Sequence, residues 1–265
     1  MMVKPPLRSS FQVDKADVYV HPSKQDTSEA AACEASNILR IALFKRGSAR
    51  IIVGTGNSQE DMVRALVQAP DLDWSRMEVF HMDEYVGTSA EHPASFRRWL
   101  KTRLVDIAHP GKAHYLQGDA AELPQECARY ASLLHAAPID ICFIGFGENG
   151  HIAFNDPGVA DFHDPLAVKR VTLDERSRQQ QVGEGHFPAI DAVPKEALTL
   201  TCPELLRAEH LICTVPERRK AEAVKNAFTG PITEACPSSL VRTHTGAAIY
   251  LDTNSASLLP PDWRG

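Results

Sequence analysis

The sequence predicts a single α/β domain, with a doubly wound, mostly parallel sheet and helices on both faces. Three observations carry that prediction. Apolar runs of strand length alternate with segments of helical period along the chain. Residues 139–147 (IDICFIGFG) are apolar on both faces, as suits a central strand covered by helices on each side. Three strand ends are rich in glycine and polar residues, at the edge where ligands bind in such sheets.

Taken in order, residues 17–20 (DVYV) open as a strand. Asp26, Thr27, Ser28 and Glu29 then offer cap residues for a helix reaching about Phe44. Residues 49–54 (ARIIVG) read as a buried strand, and GTGNSQ turns into a helix through about Val67. A strand at 77–82 (MEVFHM) precedes a polar loop and a helix beginning near Pro93 or Ala94, since proline suits a first helical turn. A helix over roughly 119–136 leads into the central run at 139–147. Further strands are expected at 168–173 (VKRVTL), 197–201 (ALTLT), 210–215 (HLICTV) and 247–252 (AAIYLD), with a helix from Lys220 to Phe228. Right-handed crossovers between these units give the open sheet.

The 265 residues, 43% hydrophobic and 23% charged, suffice for one domain with a full core. No linker divides them, so residues 1–265 read as one unit with loosely held ends at about 1–14 and 260–265. A net charge of -6, from 28 basic and 34 acidic residues, argues against nucleic acid or an anionic membrane as partner. No apolar run approaches the ~20 residues of a membrane span, and the start MMVKPPLRSSFQ lacks the apolar core of a signal peptide. A cytoplasmic location is therefore expected. Cys33, Cys127, Cys142, Cys202, Cys213 and Cys236 form no C-x-x-C pair and read as reduced core residues.

Three segments carry chemistry. In the first, Gly54, Thr55, Gly56, Asn57 and Ser58 join a strand to a helix. Their backbone N–H groups and the helix N-terminus suit an anion, although the segment lacks the lysine of a P-loop and has Gln59 in place of a dinucleotide motif's last glycine. The second, His81-Met82-Asp83-Glu84-Tyr85, puts two carboxylates just past a strand. Asp83 is a candidate for catalysis and Glu84 for substrate binding. Neighbours at a strand end point to opposite sides, so one of the two faces the crevice while the other caps or orients a loop. In the third, Gly145, Gly147 and Gly150 let the chain turn sharply, followed by His151 with Asn149 before it and Asp156 after it. A histidine flanked in this way serves as a general acid or base near neutral pH. Metal binding is not expected, because neither H-E-x-x-H nor a compact Cys/His set is present.

HMDEYVG, EHPASF, GFGENGHIAFNDPG and VPKEALTLT, in this order, resemble the glucosamine-6-phosphate deaminase family, with a match from about Ile51 to Lys225. The resemblance implies the fold shared with ribose-5-phosphate isomerases and CoA-transferases. It also implies aldose–ketose isomerisation of an amino-sugar phosphate with loss of ammonia, without metal or organic cofactor. By resemblance, Asp83 moves a proton between C2 and C1 and His151 assists ring opening, supported by Asn149 and Asp156. The turn at 54–58, Gly150, Arg178 and Lys220 hold the substrate and its phosphate. Two departures stand out. Asp156 replaces the family's usual glutamate, and Gly183 stands where ungapped alignment expects a phosphate-gripping arginine. Two other functions stay open at this point: a 6-phosphogluconolactonase-type hydrolase and a catalytically silent sugar-phosphate sensor. The expected partner is a small sugar phosphate, and family members occur both as monomers and as homo-oligomers.

Overall fold

The computed structural model describes residues 4–264. An antiparallel hairpin of β1 (Ser9–Val13) and β2 (Ala16–His21) opens the fold. Helix α1 (Lys24–Arg46) follows, its first turn capped by Ser23 Oγ, which accepts from the Asp26 amide at 3.1 Å. Gly47, at φ 79°, ends it in the left-handed conformation that a glycine adopts without strain. Next come β3 (Ala49–Val53), α2 (Asn57–Val67), β4 (Met77–His81) and the short β5 (Asp83–Tyr85). Helix α3 (Phe96–Leu100) runs through π-helical turns into α4 (Asp106–Ala108), before β6 (Lys112–His114), α5 (Leu123–His135) and β7 (Ile141–Ile144). The chain then makes an excursion through β8 (Val168–Thr172), α6 (Glu175–Gly183), β9 (Glu196–Leu200) and α7 (Cys202–Leu205). It closes with β10 (His210–Val215), a tight turn at Arg218–Lys220, α8 (Ala221–Thr229), β11 (Ala247–Asp252) and α9 (Pro261–Arg264).

Eight strands form the main sheet in the order β1-β2-β11-β10-β7-β3-β4-β6, parallel throughout except for the β1–β2 hairpin. Alternate residues feed separate apolar layers: Ile52, Cys142 and Cys213 pack on one face, and Ile51, Val53, Ile141 and Phe143 on the other. That alternation explains why the central runs read as continuously apolar. From β3 the chain winds outward through β4 and β6, then returns to β7 on the other side and winds outward again through β10 and β11. Strands β3 and β7 therefore flank the point where winding reverses, and a crevice opens above their carboxyl ends.

Several expectations need correction. Residues 168–173 and 197–201 are strands, but β8 and β9 pair with each other and with β5 in a separate three-stranded antiparallel sheet. Residues 9–13, expected in a loose end, are held by the hairpin. Within the expected loose end at 260–265, Trp263 stacks on Phe11 with ring centroids 4.8 Å apart, and Ser9 Oγ donates to its carbonyl at 3.0 Å. Residues 1–3 and 265 of those ends lie outside the described residues. Helix α3 begins at Phe96 behind a Ser95 cap, so Pro93 precedes the helix instead of opening it. All six cysteines are free thiols, four of them buried, with Cys33 and Cys127 only half-buried. Among the described residues no helix is long and apolar enough to cross a membrane.

Candidate active site

The crevice at the winding reversal is a narrow cleft with a cavity volume of about 80 Å³, partly open to solvent. Its floor comes from the ends of β3 and β7, where the Gly54 amide donates to the Phe143 carbonyl at 2.9 Å. Residues 54–58, Asp83, His151 and Lys220 all line it, with Met82, Phe96 and Phe154 as apolar wall. The small sheet brings the two reactive loops together. Asp83 pairs with Thr199 in β9, while Asn155 of the histidine loop donates to the Leu200 carbonyl at 2.8 Å and Thr199 Oγ1 accepts the Phe154 amide at 3.1 Å.

Asp83 and Glu84 divide as the strand alternation requires. Glu84 is fully buried away from the cleft and accepts from Ser95 Oγ (2.7 Å), the Tyr85 (2.9 Å), Phe96 (3.2 Å) and Arg97 (3.0 Å) amides, and Arg97 Nε (3.2 Å). It therefore caps α3, and its place in substrate binding is corrected to this structural one. Asp83 faces the cleft, and its buried Oδ1 has no hydrogen-bond partner among the described residues. Burial, and then the neighbouring Glu84 charge, push its carboxyl up to about 8. His81 fixes this loop from below. Its Nδ1 lies 2.9 Å from the Asp83 carbonyl, and its Nε2 accepts the Leu116 amide at 2.9 Å. Those two bonds specify a neutral ring with the proton on Nδ1, and burial pushes its pKa down to about 3.

His151 sits over Gly147, where any Cβ would fall 2.3–2.4 Å from the imidazole ring atoms. Only glycine leaves room for the ring there. Nδ1 lies 2.9 Å from Asp156 Oδ1 and 3.1 Å from Ser177 Oγ, which itself donates to the same carboxylate oxygen. Asn149 Nδ2 also donates to Asp156 Oδ1, at 3.0 Å, while its Oδ1 accepts the His151 amide at 3.0 Å. Burial raises the Asp156 carboxyl, but the bonds from His151, Ser177 and Asn149 outweigh it and hold the group at about 2. The aspartate thus reaches the ring without the extra methylene of the usual glutamate. Ala153, at φ 50°, is a strained non-glycine residue lining the same cleft. Gly150, at φ 87°, makes the turn but is packed under Cys236 and Ser238, so it is corrected from substrate contact to loop geometry.

The opposite end of the cleft gathers the 54–58 turn, Lys220 and His186. The first amides of α2 have no acceptor within the helix, and no side chain caps them. Lys220 is 2% exposed, yet its ammonium has no ion-pair or hydrogen-bond partner among the described residues. Burial, and then Arg219, push its pKa down to about 8. An unpaired buried ammonium is costly unless a ligand completes it. Arg178 does not reach the cleft: its guanidinium donates to the Ile190 (2.6 Å) and Val193 (3.2 Å) carbonyls and secures that loop. Sequence reasoning missed Ser177, Glu184 and His186, all within or just beyond α6. Burial raises the Glu184 carboxyl, but His186, Lys220 and Arg219 outweigh it and hold it at about 2. Among the described residues no group of His, Cys, Asp and Glu side chains forms a metal site.

Comparisons with known proteins place the chain in a family. The family described as glucosamine-6-phosphate isomerases/6-phosphogluconolactonase matches residues 22–250. The chain is 32% identical over 240 residues to glucosamine-6-phosphate deaminase 1 of Bacillus subtilis, covering 88% of this chain and 97% of the relative. Among solved structures, a monomeric glucosamine-6-phosphate deaminase superposes with TM-score 0.84 at 30% identity, covering 91% of this chain and 99% of that one. A 6-phosphogluconolactonase from Shewanella baltica superposes with TM-score 0.74 at 16% identity over 91% of this chain and 99% of that one, a likeness of fold alone.

Proposed function

The chain belongs to the glucosamine-6-phosphate isomerase/6-phosphogluconolactonase family, and we propose that it converts glucosamine 6-phosphate and water to fructose 6-phosphate and ammonia. The observation that carries this reading is a cleft lined by Asp83, whose Oδ1 has no hydrogen-bond partner among the described residues, by the hydrogen-bonded imidazole of His151 and by the buried Lys220. In this reading the phosphate docks on Lys220 and the amides at the start of α2. With Nδ1 committed to Asp156 and Ser177, His151 exchanges its proton through Nε2 as the sugar ring opens. Asp83 then takes the C2 proton and returns it to C1 while O1 takes a proton from the substrate ammonium, so C1 becomes an alcohol and a protonated imine forms at C2. Water adds to that imine and ammonia leaves.

Asp83 must be ionised to act as base. In the empty cleft its carboxyl is held at about 8, so the substrate's own ammonium is the cation that favours ionisation where it is needed. Asn149, Asp156 and Ser177 are positioning residues that act through His151. The test is a coupled assay of ammonia release and ketose formation, run beside hydrolysis of 6-phosphogluconolactone. Ammonia and ketose in equal amounts support the proposal. Lactone hydrolysis alone, or sugar-phosphate binding without turnover, overturns it.

A further inference from the structure

We propose that His186 is a second hydrogen-bond donor of the phosphate site, standing in for the arginine this chain lacks. The inference rests on the phosphorylated substrate of the preceding reading. At Gly183 a Cβ would meet nothing within 4 Å, and the residue faces an adjoining charged hollow instead of the cleft. The two nearby arginines are spent elsewhere. Arg178 secures the Ile190 and Val193 carbonyls, while Arg219 binds Glu217 through Nε at 2.7 Å and Glu184 through Nη1 at 2.5 Å. His186 remains. It lines the same cleft as Lys220 and the 54–58 turn, and its buried Nε2 has no hydrogen-bond partner among the described residues.

The nearest charged group to that nitrogen is Glu184 Oε2 at 3.4 Å, and Glu184 already accepts from Arg219 and from Gln180 Nε2 at 2.9 Å. The carboxylate thus draws His186 and Arg219 together, and Lys220 adds to its stabilisation. The backbone holds the imidazole in place: the His186 amide donates to the Gln181 carbonyl at 3.0 Å, and Phe187 is buried against Tyr85 with centroids 5.4 Å apart. A phosphate on Lys220 then accepts at one oxygen from the ammonium, at another from the His186 N–H and at a third from the α2 amides.

The test compares ammonia release from glucosamine 6-phosphate by wild type, H186A, H186Q and H186R, together with calorimetric titration of inorganic phosphate. Loss of one charge-assisted bond is expected to raise KM roughly 10- to 100-fold in H186A, with kcat changed by less than about threefold. H186R should restore KM to within about threefold, because guanidinium supplies the same donor. An unchanged KM, or a fall in kcat alone, overturns the proposal. H186Q keeps the volume and decides the matter if the alanine variant does not fold. If wild type turns over no phosphorylated amino sugar, the parent reading fails by itself, and phosphate titration still decides this one. Binding about tenfold weaker in H186Q supports it, and equal binding overturns it.

Discussion

At the reaction end of the cleft, His151 is held by Asp156 and Ser177, Asp156 also accepts from Asn149, and His81 anchors the Asp83 backbone. At the anion end, among the described residues, His186 Nε2 lacks a hydrogen-bond partner and α2 has no side-chain cap. In the first region the imidazole is held through Asp156 Oδ1, while Asp156 Oδ2 has no hydrogen-bond partner among the described residues, so the orientation of the ring is fixed by protein contacts alone. The second leaves a donor without a partner, and in the proposed reading an incoming phosphate completes it. Asp83 belongs to neither pattern fully: its backbone is pinned, while its carboxylate is left without a partner beside a saturated Glu84. This contrast separates a group kept for chemistry from one kept for structure, although the two are adjacent in sequence.

The largest break of the comparison is Asp83→Asn. It preserves shape and removes the base, so kcat should fall by roughly 10²- to 10⁴-fold while the protein still binds sugar phosphate. The variant should also be more stable than wild type above about pH 4. The folded carboxyl is held near 8 and the unfolded one near 3.8, so wild type loses stability as pH rises between those values. Ammonia-release kinetics with melting curves at pH 5 and pH 8 check both parts. Normal turnover would exclude Asp83 as proton carrier.

Lys220→Met tests the anion end. KM should rise roughly 10- to 100-fold through loss of the charged contact. Melting without ligand should shift upward by roughly 2–4 °C for each kcal/mol released when an unpaired buried charge is replaced by an apolar chain. The sign agrees with linkage, because a folded pKa near 8 against the usual 10.5 marks a penalty fully present below pH 8. A lower melting point together with an unchanged KM would make Lys220 an ordinary core residue.

The two groups also set opposite limbs of one pH profile. In the free enzyme Asp83 gains its active charge as pH rises through about 8, and Lys220 loses its binding charge as pH rises through about 8. The profile of kcat/KM should therefore be a narrow bell centred near pH 8, falling about tenfold per unit on each side. Lys220→Arg should flatten the alkaline limb alone. A profile that is level from pH 6 to pH 10 would show that neither group titrates as its surroundings require.

What the sequence revealed follows the range of the forces involved. Strands at 49–54, 139–147 and 210–215 were legible because burial on both faces marks each residue locally. Asp83, His151 and the 54–58 turn were legible because glycine and polar residues at a parallel strand's carboxyl end point to a cleft. The β8–β9 hairpin looked like more of the same sheet, since strand pattern carries no record of its partner. Arg178 and Gly150 were misplaced for a related reason: which carbonyl or side chain meets them depends on the docking of the 150s loop and α6. Glu184 and His186 had no local signal beyond the glycines at 183 and 185, and their importance appears only when α6 lies across the cleft from Lys220.

Ser177→Ala is the finest test of the contrast, because it removes the hydroxyl that links His151 to Asp156 and leaves their direct contact in place. Ser177 Oγ bridges His151 Nδ1 and Asp156, yet the ring keeps its direct 2.9 Å contact to the carboxylate and Asn149 still donates to Asp156. A hydrogen bond to a charged group is worth about 1.5–3 kcal/mol, so kcat should fall roughly 10- to 100-fold with KM unchanged. Asn149→Ala alone should cost a similar factor, and the double variant should cost more than the product of the two, because Asp156 then holds the ring alone. Strict multiplicativity would mean that the two residues act independently, and the reaction end would then be a set of separate contacts instead of a mutually supporting network.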